Sequence, residues 1–160
     1  MNCFSRETVI GNIAIYANEK AVTRLCFGKC SDAAIENAET EIIKEAFAQL
    51  QEYLNGSRTK FDLKFEYGGS NFQMAVWDQL KKIPYGETRT YKKIADNSNN
   101  PKSCRAVGVA CGQNPIPIFI PCHRVIGSNG NLTGYGGGLH IKKRLLEMEK
   151  TVSNAVNSSL

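Results

Sequence analysis

TYKKIADNSNNPKSCRAVGVACGQ, Thr90 to Gln113, decides how this chain is read. Two short helical patterns flank a polar turn. Thr90 is placed to cap the first, TYKKIAD (90–96), because its hydroxyl can accept an orphan amide of the first helical turn. NSNNP (97–101) has the composition of a turn. KSCRAVGVACGQ (102–113) predicts a second helix that ends near Gly112. Two short helices joined by a tight polar turn predict a helix-turn-helix.

Charge strengthens that reading. The chain has 160 residues and a formal net charge of +5. Residues 1–70 hold 8 Lys+Arg against 10 Asp+Glu, whereas residues 71–150 hold 12 against 5. The basic excess lies in the half with the paired helices and predicts a polyanionic partner, nucleic acid first. With 42% hydrophobic and 22% charged residues the chain falls in the soluble globular class. No run approaches the 18 apolar residues of a membrane span, and MNCFSRETVIGNIAIYANEK lacks a signal-peptide apolar core. The expected location is the cytoplasm, or the nucleus of a eukaryote, with no membrane partner.

Upstream, SNFQMAVWDQLKKIPYG predicts a helix with Asn71 as N-cap and Phe72, Ala75, Val76 and Leu80 on one face, broken by Pro84-Tyr85-Gly86. Gly68-Gly69-Ser70 is the expected seam between two domains. Before it, ETVIGNIAIYANE and AVTRLCFG predict strands, with Gly11-Asn12 as a turn. SDAAIENAETEIIKEAFAQLQEYLNG predicts a helix, its apolar face running through Ile42, Ile43, Ala46, Phe47, Leu50, Tyr53 and Leu54. KFDLKFEYGG (60–69) alternates as a strand does. Residues 1–70 thus predict a small α/β scaffold without chemistry of its own.

Downstream, IPIFIPCHRVIG (116–127) predicts a buried strand ending at Pro121, followed by a thiol, an imidazole and a guanidinium in succession. A thiol reacts as its thiolate, with an ordinary pKa of about 8.5, so an active cysteine needs a base or a positive field. His123 and Arg124 offer both. Neighbouring side chains on a strand point opposite ways, so a Cys122–His123 contact needs a turn or a bridging water. Glu147 and Glu149 both stand as candidates to orient His123 in a Cys-His-Glu relay. Residues 129–138 form a Gly-rich loop. The last helix, 139–150, is expected to bury Leu139, Leu145, Leu146 and Met148, and residues 151–160 to fray. The six cysteines are expected as free thiols, with Cys3, Cys26, Cys104 and Cys111 as small buried hydrophobes. Cys26 and Cys30 are spaced loosely like metal ligands, but both histidines lie far off in sequence, and no metal or cofactor is expected.

The stretches NPIPIFIPCHRVIGSNGNLTGYGGGLHIKKRLLEME, FQMAVWDQLKKIPYGETRTYKKIAD and NPKSCRAVGVACGQ closely resemble the O6-alkylguanine-DNA alkyltransferases. The resemblance covers about residues 71–150. It implies an α/β (α+β) protein. Residues 1–70 would form a ribonuclease-H-like domain, and residues 71–150 a mostly helical, winged-helix-like domain with the helix-turn-helix.

The resemblance also implies roles. Cys122 would accept the alkyl group, His123 would act on it through a water, and Glu149 would hold His123. Asn114 would brace the turn, and Tyr91 would donate its hydroxyl to the flipped base. Arg105 would fill the hole in the stack, and the small neighbours Cys104, Ala106 and Gly108 would let the helix press into the minor groove. Tyr135 would wall the pocket, and the backbone around Val125 and Gly136 would read the guanine edge. Gly136 stands where the family often has Ser, which keeps the N–H and loses a hydroxyl. The implied partner is double-stranded DNA carrying O6-alkylguanine, with O4-alkylthymine left open, bound by a monomer that reacts once. A lesion binder without transfer and a cysteine hydrolase are the competing classes. The presence of Cys122 opposes the first, and a stable thioether product separates transfer from the second.

Overall fold

A computed structural model describes residues 1–98, 100 and 102–158. The chain divides into two compact units, Met1–Tyr67 and Gly68–Leu160.

The first unit is a four-stranded sheet with one helix. Strands β1 (Asn2–Thr8) and β2 (Gly11–Ala17) form an antiparallel hairpin, and β3 (Val22–Phe27) pairs antiparallel with β2. The short β4 (Glu36–Asn37) adds parallel to β1, giving the order β3-β2-β1-β4. The turn falls on Val9-Ile10 rather than on Gly11-Asn12. Thr8 closes it, accepting from the Ile10 N–H at 3.2 Å and donating to the Gly11 carbonyl at 2.8 Å. Gly11 then opens β2 with φ +97, a conformation glycine adopts without a β-carbon penalty.

Helix α1 spans Glu41–Leu54, shorter at its start than the pattern predicts. Thr40 caps it, its side chain accepting from the Ile43 N–H, and part of the expected helical segment is strand β4 instead. Ile43, Ala46, Phe47, Leu50 and Tyr53 form its buried face. β2 is buried on both faces: Ile13 and Ile15 on one, Ala14 and Tyr16 on the other with Cys3, covered by Cys26, Cys30 and Ile35. Cys3 and Cys30 are joined by a disulfide, with Cα atoms 6.3 Å apart, so these two are not free thiols. Residues 60–69 keep the alternation but make one isolated bridge, Phe65 to Val22, instead of a strand.

In the second unit, α2 (Asn71–Lys81) begins one residue earlier than Asn71 as cap implies. Ser70 is the N-cap and forms a reciprocal box with Gln73, at 3.1 and 2.8 Å. Its buried face is Val76, Trp77 and Leu80, while Ala75 is exposed. The Trp77 indole N–H donates to the Ala110 carbonyl at 2.9 Å, fastening α2 to the second helix of the pair. α3 (Tyr91–Asn97) starts at the Thr90 cap, which accepts from the Lys93 N–H at 3.1 Å. α4 (Cys104–Gly112) packs on α3 and α2. Of the expected turn at 97–101, Asn99 and Pro101 lie outside the described residues. The two-residue strands β5 (Arg89–Thr90) and β6 (Val125–Ile126) pair in parallel and bring the start of α3 beside the Cys-His-Arg segment.

The last helix, α5, runs Leu139–Ser158. Residues 151–158, expected to fray, are helical. Its buried face is Ile141, Lys142, Leu145 and Glu149, whereas Leu139 is exposed and Leu146 and Met148 are half-buried. No helix among the described residues is long and apolar enough to cross a membrane.

Candidate active site

The segment before Cys122 is a tight turn, not a strand. Asn114 closes it from inside: its side-chain amide donates to the Ile120 carbonyl at 2.9 Å, and its side-chain oxygen accepts from the Ile116 N–H at 3.0 Å. Ile120 N–H bonds back to Ile116 at 2.9 Å, and Cys122 N–H to Ile120 at 2.8 Å. Ile118, at the apex, has φ +75 and is 1% exposed. A β-branched residue in that region is strained by about 1–3 kcal/mol, so the turn is over-determined by its neighbours. Cys122, His123 and Arg124 then form one 3-10 turn, and Val125 N–H donates to the Cys122 carbonyl.

Of the two glutamates, Glu149 reaches the site; Glu147 is exposed and pairs with Lys143. The Glu149 carboxylate meets His123 Nε2 at 2.7 Å, Arg124 Nε at 2.8 Å and Arg124 Nη2 at 3.0 Å, and accepts from the Gly86 N–H at 3.2 Å. Arg124 Nη1 donates to the Ile83 carbonyl at 2.8 Å. Arg124 is therefore committed to Glu149 and does not serve as a field on the thiol. Burial pushes Glu149 up, but the hydrogen bonds and charges of His123 and Arg124 outweigh it and hold the carboxyl down at about 2. Burial keeps His123 below its ordinary 6.5. An ionised carboxylate can only accept, so a neutral His123 donates from Nε2 and turns Nδ1 into the ring's acceptor.

Cys122 is 6% exposed. Burial raises its thiol to about 11, while the Asn114 amide and the positive charge of Lys142 pull it down. Lys142 is a site residue that the sequence conceals. It is fully buried, and its ammonium donates to the Thr133 carbonyl at 2.8 Å and to the Tyr91 hydroxyl at 3.4 Å. Thr133 Oγ1 shares a hydrogen bond with the same Tyr91 hydroxyl at 2.9 Å. Tyr135 is half-buried, and its phenol is pushed well up by burial and then by the negative charges of Cys122 and Glu149, which marks it as their neighbour.

Cys122, His123, Glu149, Asn114, Tyr91, Tyr135 and the Val125 backbone thus converge. Arg105, Cys104 and Ala106 lie on the exposed face of α4. Cys104 is therefore not a buried hydrophobe. Gly108 turns inward: a β-carbon there would sit 3.9 Å from the Tyr91 ring. Gly136 is exposed in the loop. Lys142 escapes sequence reading because lysine normally marks a solvated face. Its one signal is position: 142, 145 and 149 share a helix stripe with Ile141.

The arrangement offers a buried thiol, a neutral imidazole poised as acceptor and an oriented phenol. Known proteins are similar throughout. The sequence model described as the DNA binding domain of 6-O-methylguanine DNA methyltransferase matches residues 71–151, and that of its ribonuclease-like domain matches residues 4–67. A methylated-DNA–protein-cysteine methyltransferase of Methanosarcina acetivorans is 48% identical over 149 residues, covering 89% of this chain and 94% of the relative. A Mycobacterium tuberculosis protein of the same name is 54% identical over 106 residues, 66% of this chain and 64% of that protein. The crystal structure of Mycobacterium tuberculosis OGT in complex with DNA superposes with a TM-score of 0.88 at 40% identity, covering 95% of this chain and 94% of that one.

Proposed function

The chain belongs to the 6-O-methylguanine DNA methyltransferase family, and from that premise we propose that it repairs double-stranded DNA by moving the alkyl group of O6-alkylguanine onto its own Cys122, once per molecule. The observation that carries the proposal is the seating of Cys122 between the Asn114 brace and the His123–Glu149–Arg124 cluster.

A lesion on guanine O6 lies inside the duplex, so the nucleotide rotates out to meet the thiol. Arg105, long, cationic and exposed on α4, fills the space left in the stack. Cys104 and Ala106 beside it let the helix approach the minor groove closely, and Gly108 leaves room for Tyr91 behind it. Tyr135 walls the pocket, and the backbone at Val125 and Gly136 reads the guanine edge.

His123, neutral and accepting at Nδ1, takes the thiol proton through a water. The thiolate attacks the alkyl carbon. The S–C bond forms, the C–O6 bond breaks, and its electron pair moves into the purine. Tyr91 gives its proton to the ring as that charge develops. The product is a thioether that water does not cleave, so each molecule acts once, as a monomer, in the cytoplasm or a eukaryotic nucleus.

The test is intact mass after mixing with a duplex that contains O6-methylguanine. A gain of one methyl group per chain, mapped to Cys122, is expected. Cys122→Ser is expected to bind the duplex and gain nothing. Multiple turnovers, or a methyl group on another residue, would overturn the proposal.

A further inference from the structure

The turn that follows α2 grips the site from behind. In IPYGE, Ile83 to Glu87, the Glu87 N–H donates to the Pro84 carbonyl at 3.1 Å, and Gly86, third in that turn, has φ +83. The turn aims three groups at one ion pair. The Ile83 carbonyl accepts from Arg124 Nη1 at 2.8 Å, and the Gly86 N–H donates to Glu149 at 3.2 Å. The half-buried Tyr85 sets its ring 5.6 Å from the Arg124 guanidinium carbon. Ile83 and Gly86 act through backbone groups; Tyr85 acts through its side chain. Donors thus meet both oxygens of Glu149: Arg124 Nε and the Gly86 N–H at Oε1, His123 Nε2 and Arg124 Nη2 at Oε2.

A carboxylate beside an imidazole has two effects. Its hydrogen bond fixes the tautomer, which a base needs, and its charge favours the imidazolium, which can accept no proton. Arg124 separates the two, because a guanidinium docked on both oxygens offsets the charge and leaves the hydrogen bond in place. The titratable and charged groups packed around the His123 ring and its carboxylate are Glu149 and Lys142 of α5, Cys122 and Arg124 of its own turn, Tyr85 of the turn after α2 and Tyr135 of the Gly-rich loop. Burial foremost, then the charges of Arg124 and Lys142, favour the neutral ring, whereas Glu149 opposes them. We infer that Tyr85 is a positioning residue whose ring pins Arg124 on Glu149 and keeps water off the pair, so that Glu149 orients His123 without charging it.

This rests on His123 being the base of the proposed transfer. A guanidinium is attracted to the face of an aromatic ring, most strongly where both are out of water. Removing the ring frees Arg124 to swing and lets water reach His123. The first change uncovers the Glu149 charge, and the second eases the burial that keeps the imidazole neutral. Both favour the imidazolium, so the base is lost at the acid end of the pH range first.

The experiment compares the full chain with Tyr85→Phe, which keeps the ring, and with Tyr85→Leu and Tyr85→Met, which remove it. One readout is single-turnover methyl transfer from an O6-methylguanine duplex as a function of pH. The other is nitrogen NMR of the histidine rings, with His140→Gln separating the two sets of signals. Wild type and Tyr85→Phe are expected to transfer within about twofold of each other at every pH, with a neutral His123 protonated on Nε2 at neutral pH. Tyr85→Leu and Tyr85→Met are expected to be slower by about tenfold or more near pH ~6 but within about threefold near pH ~8, and His123 should titrate at higher pH in both. Tyr85→Met fills more of the space and serves should Tyr85→Leu not fold. A ring-less variant with the pH profile of wild type, at whatever rate, or a Tyr85→Phe variant as impaired as Tyr85→Leu, would overturn the role of Tyr85. So would a wild-type His123 that is charged, or protonated on Nδ1 alone, at neutral pH. A wild-type chain that leaves Cys122 unmodified would overturn the transfer, and the nitrogen spectra would then decide the role of Tyr85 by themselves: equal His123 titration with and without the ring would overturn it.

Discussion

Gly86 and Ser153 meet so closely that the glycine has no room for a side chain: a β-carbon on Gly86 would overlap the Ser153 hydroxyl. Gly86 also has φ +83 and donates its N–H to Glu149. Gly86→Ala is therefore expected to destabilise the second unit by about 1–3 kcal/mol and to loosen the carboxylate. Calorimetry should show a lower melting temperature. Adding Ser153→Gly should recover the steric part and leave the backbone part. A melting temperature unchanged by Gly86→Ala would count against this contact.

Glu149→Gln keeps the shape and removes the charge. Arg124, 8% exposed, would lose its ionic partner, and a buried ion without one costs about 3–5 kcal/mol. The amide could also donate to His123 and invert its tautomer. Transfer to Cys122 should fall by about a hundredfold or more, measured by single-turnover kinetics. A variant as stable and as fast as wild type would refute the buttress.

Acid should unfold this unit for two reasons of the same sign. Glu149 sits at about 2 instead of its ordinary 4.5, so its stabilisation is complete above 4.5 and disappears as pH falls toward 2. His123 is held below 6.5, so the unfolded chain takes up a proton that the native state resists as pH drops below 6.5. Melting temperature is expected to decline steadily from pH 7 to pH 3, and Glu149→Gln should flatten the portion below 4.5. A rise on acidification would contradict both assignments.

Arg105→Ala should discriminate between substrates. The side chain is exposed on α4 and outside the cluster around Cys122. Methyl transfer from duplex DNA is expected to slow by about tenfold or more, whereas reaction with free O6-alkylguanine base should change by less than about twofold. Equal losses on both would reject the stack-filling role.

Much of this architecture is written locally. Thr90 caps α3 because its hydroxyl accepts the Lys93 N–H, an amide of the first turn that has no partner within the helix, and the apolar spacing of α1 survives as its buried face. Boundaries are harder where two residues compete. Ser70 and Asn71 can both cap, and Gln73 decides for Ser70 by completing the box. The run Ile116–Pro121 has strand composition, yet Asn114 bends it through contacts on both sides that composition does not encode. Spacing leaves Glu147 and Glu149 equal. Packing separates them, since only the latter shares a face with Ile141, Lys142 and Leu145. Lys142 is least legible, because its burial depends on a loop and a helix start brought together by the fold.

Ile118 illustrates how a residue remote from any chemistry can govern it. Glycine or asparagine at the apex would relax a backbone cost of about 1–3 kcal/mol, but emptying that fully enclosed volume would forfeit about 2–5 kcal/mol of apolar filling. The larger penalty wins, so a bulky apolar side chain at this apex leaves the fold more stable than an easier backbone would. Shape changes there should propagate to the sulfur four positions on as surely as edits to the sulfur's own neighbours.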